Sequence, residues 1–246
     1  MTDFHTHFGQ FYDIYTPPEE LLSVMDDVGT EYFAASSTTI CEGNYEKVLA
    51  EMSELVLLAK NRVFPVLWII PSMLHDGGLQ RFLESGINWK MLKIHPQVNP
   101  TEWQSGGCNL QYVIKLAKKM NLPLLIHTGE HPGCYPSLFE RAIRNNPEVT
   151  FVLAHGRPIQ ETIQLMLQYK NIWTDTAFMP KDNLKQLIDN GLSNRILFGT
   201  DVPINKYFYP ELNTKDFVKQ HLDDLREVTD DFQFKKIISN TVFCTK

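Results

Sequence analysis

Asp3-Phe4-His5-Thr6-His7-Phe8-Gly9 is the stretch on which the reading of the chain turns. It has the composition of a first β-strand. Side chains on a strand alternate between faces, so residues two apart point the same way. His5 and His7 are therefore expected to project together, with Phe4 and Thr6 on the opposite face. Two imidazoles converging from one rigid strand form half of a metal site. A His-x-His pair is common by chance, however, so its meaning depends on whether further ligands arrive from the ends of other strands.

Working outward, the sequence alternates short apolar runs with longer amphipathic stretches. After Asp3–His7, strands are expected at Glu31–Ser36, Val63–Ile70, Met91–His95 and Leu124–His127. Three more are expected at Thr150–His155, Ile172–Asp175 and Arg195–Thr200. Several are continuously apolar, as parallel strands covered on both faces should be. Between them lie helical patterns with recognisable starts. Thr16-Pro17-Pro18-Glu19-Glu20 offers a capping residue, prolines for the first turn and acids at the positive end of the dipole. Asn44 precedes the amphipathic run Tyr45–Lys60. Further helices are expected at Leu79–Glu84, Leu110–Met120, Pro136–Asn145, Pro158–Tyr169, Lys181–Asn190, Thr214–Val228 and Asp231–Ser239. A βα unit recurring eight times implies an α/β chain folded as a (β/α)8 TIM barrel, with residues 1–246 forming a single domain. The alternative, an open doubly wound sheet, usually carries a Gly-rich phosphate loop after its first strand, and none is present.

The 43% hydrophobic and 21% charged residues suit a globular protein with a buried core. A net charge of −6 with no basic block argues against a nucleic-acid partner or an anionic membrane surface. The longest apolar run, Val63 to Ile70, is too short to span a membrane. Cys41, Cys108, Cys134 and Cys244 are scattered without zinc-type spacing and read as reduced thiols of a cytoplasmic protein, in keeping with an N-terminus unlike a signal peptide. Self-association into a homo-oligomer is left open.

Of the eight histidines, five fall at the carboxyl ends of expected strands: His5, His7, His95, His127 and His155. Chance would place roughly one there, and in a (β/α)8 barrel that rim is where active sites are built. In Leu92-Lys93-Ile94-His95 the apolar pair suits the helix-covered outside, which turns Lys93 and His95 inward. Asp201, after Ile196-Leu197-Phe198-Gly199-Thr200, stands at the same level as the histidines. His75 and His221 have no such placement and read as surface or structural.

These residues carry a resemblance. DFHTH, MLKIHP, LLIHTGE, LAHGRP and ILFGTDVP are similar, in order and over essentially the whole chain, to the motifs of the amidohydrolase superfamily, in its branch of small amidohydrolase-related TIM-barrel proteins. The resemblance implies that His5, His7, His127 and Asp201 correspond to metal ligands, and that His155 either polarises substrate or binds a second metal. It places Lys93 where binuclear members carry a carboxylated, metal-bridging lysine. The alternative for Lys93 is an ammonium paired with Asp201 or with a substrate carboxylate. Three imidazoles and one carboxylate suit a divalent first-row ion, Zn²⁺ first, as one ion or two. Such an ion would bring the pKa of bound water toward about 7, with Asp201 as general base and His155 as electrophile.

Substrate contacts are expected from Lys93, His95, Glu130, His131 and Arg157, the last pairing with a substrate carboxylate. Asp175 is a candidate for orienting a ligand histidine. Tyr207, Phe208 and Tyr209 are candidates for the pocket wall. The function implied is hydrolysis by metal-activated water of a small carboxylate-bearing lactone, amide or ester. The alternatives are non-oxidative decarboxylation in the same superfamily, a TatD-like metal-dependent nuclease, and a barrel that only binds a ligand. The nuclease relatives carry a glutamate run near strand four, where this chain has Met91-Leu92-Lys93-Ile94-His95.

Overall fold

A computed structural model describes residues 1–98, 102–103 and 106–243. Its strands are β1 (Thr2–Phe11), β2 (Ile14–Thr16), β3 (Tyr32–Ser37), β4 (Val63–Trp68), β5 (Met91–Ile94), β6 (Leu124–His127), β7 (Phe151–Ala154), β8 (Ile172–Asp175) and β9 (Ile196–Leu197). They form one sheet in the order β2-β1-β3-β4-β5-β6-β7-β8-β9. Every pairing is parallel except that of β2, which folds back antiparallel on the end of β1. The sheet curls until its ends meet. Phe4 N–H donates to Phe198 O at 2.7 Å, Asp201 N–H to His5 O at 2.7 Å and His7 N–H to Val202 O at 2.7 Å. The fold is an α/β barrel, with helices on its outer face.

The eight expected parallel strands are all present, most with ends differing by a residue or two, although β1 runs on past the expected His7 to Phe11. The eighth is shorter than Arg195–Thr200, because beyond Leu197 the backbone pairs irregularly with β1. The hairpin strand β2 was not expected. It occupies Ile14–Thr16, so Thr16 ends a strand, and Pro17 stands at the helix N-cap without a side-chain cap bond. The proline pair still places the helix start at Pro18. Asn44 does cap its helix, accepting from Lys47 N–H at 3.1 Å. The run expected to be helical from Pro136 begins as a 3-10 turn, Pro136–Phe139, before the short helix Glu140–Arg144.

Phe4 corrects the simple alternation. Asp3 pairs with Phe33 and Thr6 with Ala35, so β1 holds one more residue than β3 across this interval. The bulge lets Phe4 and His5 both turn toward the barrel axis. Phe4 joins Ala34, Val66, Met91, Leu125 and Val152 in the inner core. Phe243 of the C-terminal segment stacks on Phe4 at 4.8 Å and lies 4.4 Å from Phe64, closing the N-terminal end of the barrel. The larger core lies between the sheet and the helices and takes the other face of each strand, including Leu92, Ile94, Leu124, Ile126 and Leu153. Cys41, Cys108 and Cys134 are free thiols, and Cys134 is buried; Cys244 lies outside the described residues. Among the described residues no helix is long and apolar enough to cross a membrane.

Candidate metal centre

The inward positions at the C-terminal ends of the strands collect polar side chains. His5, His7, Lys93, His155 and Asp201 are all buried, and His127 nearly so. Their orientation is set from behind. His5 Nδ1 lies 3.0 Å from Asp175 Oδ2, and His7 Nδ1 lies 3.1 Å from the Ser36 carbonyl oxygen. With a cation at the centre, the Nδ1–H of His5 is held by Asp175 and that of His7 by the Ser36 carbonyl, which turns both Nε2 lone pairs inward; the Ser36 hydroxyl also lies 3.0 Å from His7 Nδ1. Those two Nε2 atoms face each other at 3.3 Å. Asp201 Oδ1 adds a third lone-pair donor, 3.0 Å from His7 Nε2 and 3.4 Å from His5 Nε2. Atoms this close are held together by a shared proton or by a cation among them. Lys93 Nζ is the cation at hand, 3.1 Å from His5 Nε2 and 3.0 Å from His7 Nε2.

The donor set therefore fits a divalent metal. His5, His155 and Asp201 also each offer a ligand atom, all within 4.8 Å of one another. His155 Nδ1 donates to Ala177 O at 2.9 Å, which again leaves its Nε2 as the free lone pair. That Nε2 is 3.9 Å from Asp201 Oδ2 and 3.1 Å from His127 Nδ1. His127 thus joins the group through His155. His95 stacks flat on His127, with centroids 3.7 Å apart, and on Trp68 at 5.2 Å. Its Nδ1 is buried without a partner.

Burial is the first influence on His7, Lys93, His95, His127, His155 and Asp201. It pulls His7 down to about 4 and His95 and His127 well below the usual histidine range, so these rings are neutral and available as ligands. It lowers Lys93 to about 8, against the pull of Asp201. Burial would raise Asp201, but the surrounding His5, His7 and His155 hold its carboxyl far below the ordinary carboxylate range. Lys93 makes no ion pair with Asp201 within 4.0 Å; its neighbours are the two imidazoles and the ring of Trp68, 4.5 Å away.

Three residues not singled out in the sequence hold this arrangement. Asp3, fully buried, accepts from His5 N–H and Thr200 N–H at 3.2 Å each and from Thr200 Oγ1 at 2.7 Å. It thereby ties the bulge carrying His5 to the segment carrying Asp201. Gly199 makes room: a Cβ there would lie 2.9 Å from the Cβ of His5 and 3.3 Å from that of Asp175. Trp68 stood at a strand end like the histidines, and that position was its only signal. Asp175, expected to orient a ligand, also accepts from His155 N–H at 3.0 Å and Ala177 N–H at 3.1 Å. His155 and Asp201 themselves sit at φ of 67° and 62°, left-handed conformations that cost a non-glycine residue about 1–3 kcal/mol each.

Above the centre opens a cavity of about 730 Å³ lined by His7, Lys93, His95, His127, His155 and Asp201 at its floor. Phe11, Tyr12, Trp68, Tyr207 and Phe208 are among the residues of its walls. Three of the expected substrate contacts are not part of that lining. Glu130 and His131 are exposed in the loop after β6, and Arg157 turns to Glu130 at 3.9 Å. The apolar periodicity of a strand fixes where its last residue points but leaves the following loop undetermined. Tyr209 stacks on Phe178 rather than lining the cavity, and His221 bonds to Thr176 Oγ1 at 3.0 Å, a structural role.

The fold is shared with solved amidohydrolase-type barrels. A probable 2-pyrone-4,6-dicarboxylic acid hydrolase from Acinetobacter baumannii, with citric acid bound, aligns with a TM-score of 0.68 at 12% identity, covering 96% of this chain and 95% of that one. A 5-carboxyvanillate decarboxylase from Novosphingobium aromaticivorans, complexed with manganese, aligns with a TM-score of 0.70 at 10% identity, covering 98% and 93%. A zinc-bound amidohydrolase from Burkholderia multivorans aligns with a TM-score of 0.67 at 12% identity, covering 96% and 95%. At these identities the likeness establishes the fold alone. No curated protein matches the chain by sequence. The family model Amidohydro_2, described as amidohydrolase, matches residues 2–233, and the chain accordingly belongs to the amidohydrolase family.

Proposed function

We propose that the protein is a metal-dependent hydrolase acting on a small amide, ester or lactone. The observation that carries this reading is the convergence of His5 Nε2, His7 Nε2 and Asp201 Oδ1 within 3.0–3.4 Å. His5, His7 and Asp201 would hold the ion, Zn²⁺ first. His127 and His155 would complete the set or hold a second ion. When bound, the metal supplies Lewis acidity and water acidified toward neutral pH.

The chain's own residues do the rest. Asp201 engages the two histidines through Oδ1 and keeps Oδ2 free to take a proton from water and pass it to the leaving group. His155 has its Nδ1–H committed to Ala177. A neutral ring so held offers a lone pair to the centre, which supports a ligand role over that of a proton-donating electrophile. Lys93, with its pKa near 8, is poised either to lose its proton and take up carbon dioxide as a bridging ligand, or to face a substrate carboxylate as an ammonium. The hydrolase reading is tested by stripping the protein with a chelator, assaying aryl esters, anilides and lactones, and restoring Zn²⁺ or Mn²⁺. Hydrolysis should vanish and return with metal; turnover that survives stripping would end the reading.

Decarboxylation is the second reading. Lys93, the one cation among the described residues lining the cavity, sits at the reacting centre rather than away from it. A substrate carboxylate drawn there would be the group that reacts. Release of carbon dioxide rather than of an acid and an alcohol or amine would select it.

A further inference from the structure

The mouth of the cavity has a charge pattern that the metal centre does not require. The loops that follow β1, β3, β4, β5 and β6 contain no lysine or arginine, while Asp13, Glu42, Asp76, Glu102 and Glu130 all lie in them. Cations near the rim lie on Lys47, at the start of the helix after β3, and on later segments, and each is matched by an acid; Lys47 lies 3.8 Å from Glu51. Arg157 lies 3.9 Å from Glu130, Lys181 2.7 Å from Glu227, and Lys206 is paired with Glu20. Glu42 is exposed and lines the cavity with no ion-pair partner among the described residues. An anionic group held away from the metal centre would thus meet one carboxylate and no free cation.

The walls point the same way. Tyr12 stacks on Tyr207 with centroids 5.0 Å apart at 22°, Phe11 meets Tyr207 edge-on at 5.4 Å, and Phe208 meets it at 5.2 Å. Tyr12 is 73% exposed and Phe208 57%, a large apolar area to leave in water unless a ligand covers it. Aromatic faces present negative potential and attract organic cations, the more so beside a carboxylate. Clefts with low-dielectric walls focus such a field.

Resting on the hydrolase reading, we propose that this site selects substrates whose part remote from the reacting bond is planar and neutral or cationic. Substrates carrying a second carboxylate there are rejected, through Glu42 and the Phe11–Tyr12–Tyr207–Phe208 rim. The expectation of a carboxylate-bearing substrate is thereby narrowed: an acid group is accommodated at the floor and not at the mouth.

The test uses the Zn²⁺-loaded full-length protein and three benzohydroxamic acids, whose hydroxamate binds the metal: unsubstituted, 4-carboxy and 4-trimethylammonio. Calorimetric affinities should rank cationic above neutral above anionic, with at least tenfold between the extremes. Glu42→Gln should shrink that ratio several-fold while the unsubstituted compound reports that the centre is intact. A 4-carboxy compound binding as tightly as the cation, or a ratio unmoved by Glu42→Gln, overturns the proposal while binding of the neutral compound leaves the metal centre standing. Failure of all three compounds to bind overturns the metal-centre reading and this inference with it.

Discussion

The two ends of the barrel interior are built from the same strands and do opposite things. Along β5, Met91 faces inward and packs in the apolar layer with Phe4, Val66 and Leu125. Two residues further along the same face is Lys93, against the Nε2 atoms of His5 and His7. Along β6, Leu125 and His127 make the same change over the same spacing. One turn of the pleat separates a packed floor from a cluster of imidazoles. The lower layer repays burial with hydrophobic stabilisation. The upper layer buries polar atoms that converge on one point, a cost that a bound cation would relieve. Stability and chemistry are thus stacked along the barrel axis, and substitutions at the two levels should separate them.

The largest effect is expected at the upper level. Asp201→Asn removes the carboxylate to which the proposed reading gives both the metal and the proton, and kcat should fall about 10³-fold or more, with a circular dichroism spectrum and melting point close to the parent. Activity near the parental value would remove Asp201 from the centre. At the lower level, Met91→Ala should cost about 2–5 kcal/mol of stability in denaturant unfolding while metal affinity, read by chelator competition, stays put. Loss of metal at constant stability would mean that the two layers are not separable. Between them stands Asp175, which orients His5 through Nδ1. Asp175→Asn should weaken metal binding about 10–100-fold, again by chelator competition; an unchanged affinity would show that His5 needs no such partner.

The smallest effect is a slope. In the metal-free protein the buried Lys93 gives up its proton at about 8, whereas in the unfolded chain it does so near 10.4. Between those values the unfolded state binds more protons, so stability should rise with pH across that window. Below pH 8 the full penalty of the buried ammonium applies. Lys93→Met should abolish that slope in thermal unfolding against pH, and a slope that persists would assign it to another group.

Much of this was legible beforehand because the strands of a covered parallel sheet are apolar runs, and most of their ends can be read to within a residue or two, those of β1 and β9 excepted. Position at those ends was enough to bring His5, His7, Lys93, His155, Asp175 and Asp201 into one neighbourhood. What escaped the reading shares a physical cause: it depends on departures from regular period or on loop direction. The bulge that turns Phe4 inward leaves no mark in an alternating pattern. Strand β2 is three residues long, with Tyr15 exposed and Ile14 partly so, and presents no buried stripe. Asp3 acts by accepting backbone N–H groups, which any sequence supplies. Arg157, Glu130 and His131 lie in loops whose course no periodicity describes.

The seam where β1 meets the segment after β9 has a consequence for biosynthesis. His5 is synthesised long before the carboxylate of Asp201 that completes its surroundings, since most of the barrel lies between them in the chain. Bringing such distant partners together is the entropically demanding, slow part of maturation. A metal held by these side chains would therefore be acquired late, as a seal on an already closed ring rather than a nucleus around which the nascent chain gathers.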